Sequence, residues 1–266
     1  MRAAWRPVKW LLLLAYACTC WAWVDPHAPA QQQIELGNQA LNNGNYQEAV
    51  EYFQRAIALS PSWSDPYAGL GMVYALQYTS DARAQGDVQL GMAAARQFKK
   101  ALQLNPGDLK TTESMAALQE KMGNFEEAKE YYLDAVDLDD SQPYRMMAVA
   151  RVDWNLADRA QRSQAQRAGL KVGDPIFDKP ACPALRQANQ KNLEQGMTMV
   201  SEALTLRSDL ADAMSMMAAL YDLRSETHCS DPAAWQSDRA KAADWRKLAA
   251  TAEKNRSHPA PSPPKP

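Results

Sequence analysis

Few side chains in this chain could do chemistry, and those few do not converge. Three histidines stand at 27, 228 and 258, and four cysteines at 18, 20, 182 and 229. His228 beside Cys229 has the donor types of a zinc ligand pair. A tetrahedral site needs a second pair at ligand spacing, and the sequence holds none. No metal and no other cofactor is therefore expected. Glu126-Glu127 and the run Asp137, Asp139, Asp140 gather carboxylates, as acid–base catalysis requires. Both runs fall where a helix surface should be wet, and solvation accounts for them. Gly69-Leu70-Gly71 supplies two glycines of a phosphate-binding loop, without a preceding strand or a third glycine. Met214, Met216 and Met217 suit core or groove lining rather than metal handling. The expectation is a protein that is not an enzyme.

The elements that carry these residues are helices. From Ala30 to Trp63 the chain reads AQQQIELGNQALNNGNYQEAVEYFQRAIALSPSW. Leu36, Gly37 and Ala40 share one helical face, and Ala49, Phe53, Ala56 and Ile57 share another. Asn43-Gly44-Asn45 stops the first helix, because these residues tolerate left-handed backbone angles, and Pro61 ends the second. This hairpin of about 34 residues resembles a tetratricopeptide repeat. The resemblance rests on Leu36-Gly37, Ala40, Gly44, Tyr46, Ala49, Phe53, Ala56 and Pro61. It implies an all-α fold, an α–α superhelix of antiparallel helix hairpins stacked as a solenoid.

Further units follow. One spans 64–108, with Tyr67, Leu70, Gly71 and Tyr74 on its first helix and Ala94, Phe98, Ala101 and Leu102 on its second. A polar insertion at Gln77–Gly91 separates the halves, predicted as a lengthened hairpin or a surface loop. The unit at 109–142 keeps Ala116, Gly123, Phe125, Ala128, Tyr132 and Ala135, with Asp140 in place of the usual proline. Degenerate units are predicted at 143–206 and 211–254. They hold a helix from Pro143 to about Ala168, a loop that three prolines and two glycines force between Gly169 and Pro183, and a helix from about Ala184 to Leu206. Two more helices follow, over about 210–226 and from Asp231-Pro232 onward. Arg167-Ala-Gly-Leu-Lys-Val-Gly-Asp-Pro175, Asn192-Leu-Glu-Gln-Gly196 and Cys229-Ser-Asp-Pro232 are similar to segments of exported repeat proteins of acidobacteria. That resemblance implies a bacterial envelope protein and transfers no catalytic residue.

The flanks are read separately. Arg2, Arg6 and Lys9 precede the apolar run Trp10–Ala17, the pattern of a secretory signal over residues 1–22. Residues 23–29 read as a linker and 255–266 as a Pro-rich, solvated tail with P-x-x-P spacing at Pro261 and Pro264. The expected location is exported, periplasmic or envelope-associated. A membrane contact is expected only if the signal stays uncleaved or if Cys18, after Leu14-Ala15-Tyr16-Ala17, is lipidated as an outer-membrane anchor. A net charge of -2 gives no reason to expect nucleic acid. Outside 30–254 the sequence offers no stretch long enough for a catalytic domain, so the expected partner is a protein or peptide bound by surface.

Stacked hairpins curve, and their first helices line the concave side. The repeat register places Ile34, Asn38, Leu41, Met72, Leu76, Lys110, Met147, Arg151 and Trp154 there, a groove suited to an extended peptide or a helix. Some repeat domains clamp a terminal carboxylate with lysine, arginine and two asparagines. Asn38 matches one asparagine position, but Ile34 replaces a lysine, and Gly69 and Met72 stand where polar groups belong. A chaperone-tail clamp is therefore not expected. Cys182 precedes one helix of an antiparallel pair and Cys229 follows the other, so both fall at one end of the hairpin and a disulfide between them is predicted.

Export has a direct check. Mass spectrometry of protein from the host's envelope fraction is expected to find a new N-terminus at residue 18 or 23, or diacylglyceryl-Cys18. Full-length chain in the cytoplasm with Met1 retained contradicts it.

Overall fold

The computed structural model of the protein describes residues 28–80, 85–171, 176 and 179–257. The predicted signal segment with Cys18, the linker up to His27 and the tail from His258 lie outside the described residues. Every regular element among the described residues is a helix: α1 (Ala28–Asn42), α2 (Tyr46–Leu59), α3 (Asp65–Gln77), α4 (Gln85–Leu104), α5 (Leu109–Lys121), α6 (Phe125–Leu138), α7 (Pro143–Arg167), α8 (Cys182–Leu206), α9 (Ala211–Ser225) and α10 (Pro232–Ser257). Consecutive helices pair as antiparallel hairpins, and each hairpin packs on the next. The architecture is an all-α solenoid. None of these helices is long and apolar enough to cross a membrane.

Two boundaries differ from the sequence reading. α1 starts at Ala28, inside the predicted linker, because Ala30 is fully buried and holds that turn against the core. α10 runs to Ser257, into the predicted tail, although its last buried residue is Ala249. In the insertion, α4 begins at Gln85 and gains turns ahead of the repeat pattern. Asp87 is buried there and accepts a hydrogen bond from the backbone N–H of Thr79 at 2.6 Å.

The α1–α2 and α5–α6 turns are made the same way. Gly44 and Gly123 have φ of 76° and 80°, a conformation that a Cβ would strain. Gly44 N donates to Leu41 O at 3.0 Å and Asn45 N to Ala40 O at 2.8 Å; Gly123 N donates to Glu120 O and Asn124 N to Gln119 O, both at 2.9 Å. This paired closure satisfies the last carbonyls of the first helix and reverses the chain within two residues.

Between hairpins the governing contact is an aromatic ring against glycine. Phe53 of α2 is fully buried. A Cβ on Gly37 of α1 would lie 2.9 Å from its ring, and one on Gly69 of α3 only 2.3 Å away. Phe98 of α4 repeats the motif on Gly71 of α3 at 2.6 Å. Gly69-Leu70-Gly71 thus presents one glycine to each neighbouring second helix. Ala49, Ala128 and Ala203 are fully buried at the other helix contacts. In the last hairpins Gly196 of α8 fits between Asp153 and Leu220, each 3.2 Å from its would-be Cβ.

The α7–α8 connection is pinned to the α9–α10 turn. Cys182 and Cys229 are joined by a disulfide with Cα atoms 5.4 Å apart, closing 47 residues of chain. On a chain-entropy model such a loop stabilises by about 4 kcal/mol. Cys182 lies in the first turn of α8 and is fully buried beside Ile176 and Leu185. Ile176 N also donates to Glu226 at 2.8 Å, and Arg186 Nε to Thr227 O at 2.6 Å.

The ring-on-glycine contact has a measurable cost when filled. Gly69→Ala is expected to destabilise by roughly 1–3 kcal/mol in urea unfolding. Combined with Phe53→Leu, the loss should fall short of the sum of the single losses by at least about 0.5 kcal/mol. Gly86→Ala, a helical glycine with open space around it, should not destabilise. Equal effects at Gly69 and Gly86 contradict the packing.

Candidate functional site

The first helices present a trough, and their turns build its rim. Ser64-Asp65-Pro66 opens α3, where Ser64 Oγ donates to Asp65 at 3.0 Å. Asp108 caps α5 by accepting from Thr111 N at 3.2 Å. These helix starts set two carboxylates, Asp65 and Asp108, in the lining of a cavity of about 380 Å3 that runs across α1, α3 and α5. Its floor is apolar: Ile34, Leu41, Met72 and the edge of Phe98. Asn38, Asn105 and Lys110 supply the polar edge. Lys110 is exposed, and its ammonium forms no ion pair among the described residues. The trough continues along α3 and α5 into a second hollow of about 200 Å3, lined by Met72, Leu76, Ala117 and Lys121. Lys121 donates to the Tyr78 carbonyl and lies over the Tyr78 ring.

A ridge of charge ends this trough. Arg145 of α7 is buried, with Nε on Glu113 at 2.6 Å and Nη1 on Asp139 at 2.7 Å. Tyr144 Oη donates to the same Glu113 at 2.9 Å. Nearly two helical turns along, Arg151 grips both oxygens of Glu120 through Nε and Nη2, at 2.8 and 2.6 Å. Burial and the neighbouring Glu120 carboxylate push the Tyr132 hydroxyl well above its usual range, and Tyr132 donates to that carboxylate at 2.9 Å. Beyond the ridge lies a hollow of about 640 Å3 between α7 and α9, lined by Tyr144, Met147, Leu206, Leu210 and Met216.

The predicted groove residues therefore divide. Ile34, Asn38, Leu41, Met72 and Lys110 share the first hollow, and Leu76, which is 53% exposed, lies in its extension. Met147 and Arg151 line the hollow between α7 and α9, on the far side of the ridge. Arg151 is not a free cation: its charge is held by Glu120. Trp154 is half-buried against the core of the last hairpins rather than presented to solvent. The periodic pattern missed Asn105, Tyr144, Leu206 and Leu210. All four lie at or beside helix ends, where a facing rule drawn from helix interiors does not reach.

Two buried carboxylates set the electrostatics of the second half. Asp153 of α7 is fully buried, with the Lys129 ammonium against Oδ1 and no donor of its own on Oδ2 among the described residues. Burial pushes its pKa up to about 6 despite the Lys129 ion pair. Asp238 of α10 is also buried, and burial alone would raise it. Arg224, bonded to both oxygens at 2.7 Å, and His228 at 2.6 Å outweigh that and hold it below the usual carboxylate range. Neither carboxylate lines the hollows described above, and no group of three or more metal-ligating side chains occurs among the described residues.

Comparison with known proteins agrees with this geometry. Residues 30–63 and 114–142 each match the tetratricopeptide repeat. Human sperm-associated antigen 1 is 25% identical over 143 residues, covering 54% of this chain and 14% of that protein. Human tetratricopeptide repeat protein 6 is 30% identical over 127 residues, covering 48% of this chain and 23% of that protein. The chain thus spans less than a quarter of the length of these curated relatives. Among solved structures, MamA superposes with a TM-score of 0.57 at 11% identity, over 88% of this chain and 98% of MamA. YrrB, described as a TPR protein with an unusual peptide-binding site, superposes at 0.53 and 17% identity, over 84% and 90% of the two chains. At these identities the superpositions establish the fold.

The two carboxylates respond to pH with opposite sign. Asp153, raised from about 3.9 unfolded to about 6, contributes stability that is present below pH 4 and lost as pH rises through 6. Asp238, lowered, contributes stability that is present above pH 4 and lost on further acidification. Between pH 7 and 5 the protein should therefore gain about 1–2 kcal/mol from Asp153. In Asp153→Asn this gain should vanish in urea titrations. Parallel pH profiles for wild type and variant contradict the assignment.

Proposed function

Because this chain is a tetratricopeptide-repeat protein, we propose that it is a non-enzymatic scaffold that binds a peptide or helix of a partner protein in the α1–α3–α5 trough. The observation that carries this reading is the composition of that trough. It has an apolar floor at Ile34, Leu41 and Met72, bordered by the uncommitted groups of Asn38 and Lys110. Hydrogen-bonding groups around an apolar floor fix the register of an extended segment while burial supplies affinity. The other cations of the concave face are bound to neighbours: Arg145 and Arg151 to Glu113 and Glu120, and Lys121 to the Tyr78 carbonyl. Lys110 is therefore the cation that a ligand can engage without breaking a contact of the fold. YrrB, with its peptide-binding site, supports the reading by analogy of fold.

We place this scaffold in the bacterial cell envelope. The basic head and apolar run of the first 22 residues support export. The buried Cys182–Cys229 disulfide supports an oxidising compartment. A second form of the reading has Cys18 as a lipid anchor, making the protein an outer-membrane assembly or docking factor. The segment Leu14–Cys18 supports it.

Peptides selected against the purified protein from a displayed random library test the trough. Lys110→Glu and Met72→Ser are expected to weaken binding by about tenfold or more, as loss of an interface anchor does. Helical circular dichroism should stay unchanged. Selected peptides that bind both variants as tightly as wild type contradict this site.

A further inference from the structure

We propose that the groove between α4 and α6, on the side of the second helices, is a separate docking surface. It would take a protein segment that presents lysine or arginine beside an aliphatic or aromatic side chain. The groove encloses about 370 Å3, and its apolar walls are Leu102, Pro106, Tyr131 and Leu138. Leu138 is 43% exposed. The rim carries Asp134 and Asp137.

The charge on this rim is what selects the occupant. α6 bears Glu126, Glu127, Glu130, Asp134 and Asp137, and one cation, Lys129. Lys129 turns inward, to Asp153 and to Asn192 at 3.0 Å, and neutralises nothing on the outer face. None of the five carboxylates forms an ion pair among the described residues. Lys99 and Lys100 lie just ahead of Leu102 on α4 and make no ion pair with them. Glu126 and Glu127 occupy the first turn, where the helix dipole favours negative charge. Asp134 and Asp137 stand at the opposite end, where the same dipole opposes them. Glu130 and Asp134 are also like charges four residues apart, a spacing that destabilises a helix. The local negative field is strong enough to reach Tyr131: burial first, then Asp134 and Glu130, raise its hydroxyl pKa.

Among the described residues no cation pairs with these two aspartates. A cationic segment lying in the groove would do so, and Leu138, Leu102 and Tyr131 would cover its apolar side chain. A basic residue flanking an apolar one is the complement of this surface. The trough of the first helices shares none of these groups, so this surface does not depend on the reading of that trough.

Two labelled synthetic peptides test it on the full mature chain by fluorescence anisotropy. Both carry a central Trp-Leu pair, one flanked by lysines and the other by glutamates. The lysine peptide is expected to bind, more weakly as salt rises. The Asp134→Asn/Asp137→Asn pair should weaken it roughly five- to tenfold at low ionic strength. Leu138→Ser should weaken it as well. Glu126→Gln/Glu127→Gln removes the same charge from the other end of α6 and should leave binding nearly unchanged, as should Met72→Ser. Equal losses from the two double variants would reduce the effect to diffuse attraction and overturn the proposal. So would unchanged binding in the aspartate variant, or equal binding of the glutamate peptide. Sedimentation equilibrium adds one more outcome: a concentration-dependent dimer abolished by Asp134→Asn/Asp137→Asn assigns the groove to a second copy of the chain and overturns the peptide occupant.

Discussion

The seating of Phe53 against Gly37 and Gly69 is the contact on which the first half of the solenoid depends. A ring from the second helix of one hairpin fills the space left by missing Cβ atoms on its own first helix and on the first helix of the next. Close approach of α1, α2 and α3 follows from that single fit, because a methyl group at either glycine would collide with the ring. Phe98 on Gly71 carries the same relation into the second hairpin. The trough is a by-product of this spacing. Met72 sits one position after Gly71, and the face of α3 that carries it stays partly open because Gly69 and Gly71 have drawn the second helices inward. Bulkier residues at 69 and 71 would have separated the hairpins and changed the floor of the trough.

From the third hairpin onward, polar ties join the small residues in setting the stack. Arg145 and Arg151 tie α7 to Glu113 and Glu120 of α5, and Arg224 closes α9 on Asp238 of α10. A buried partner such as Arg145 or Asp238 contributes little when intact relative to apolar packing, but removing the group it pairs with leaves a desolvated charge. They therefore fix geometry more than they add stability. The disulfide has a similar role at the far end, holding the irregular α7–α8 connection against the α9–α10 turn. Most cations of the concave face are thus committed to contacts within the fold, while Lys110 forms no ion pair among the described residues.

Much of this was legible in the sequence, and the parts that were not share a physical reason. Glycine, alanine and aromatic residues at helical spacing predict hairpins because they report contacts between neighbouring helices, and those contacts recur each repeat. Phe53, Ala49 and Gly44 are of this kind. The antiparallel pairing of α8 and α9 predicts that Cys182 and Cys229 fall at one end, and in the structure they are bonded. Periodicity could not show that Arg151 meets Glu120, since that pairing depends on the twist between hairpins 31 residues apart in sequence. For the same reason Trp154 reads as a groove residue by register, while in the structure it packs half-buried against the core of the last hairpins. Asn105, Leu206 and Leu210 are contributed by turns and helix ends, whose direction is set by capping rather than by a repeating face.

The central claim is that the α1–α3–α5 trough is where a partner segment lies. Methyl-labelled methionine NMR tests it most directly, because Met72 lines this trough and Met147 and Met216 line the hollow beyond the ridge. On titration with a bound peptide, the Met72 methyl is expected to shift in proportion to occupancy, while Met147 and Met216 stay in place. A peptide that binds without moving Met72, or that shifts only Met147 and Met216, contradicts the claim.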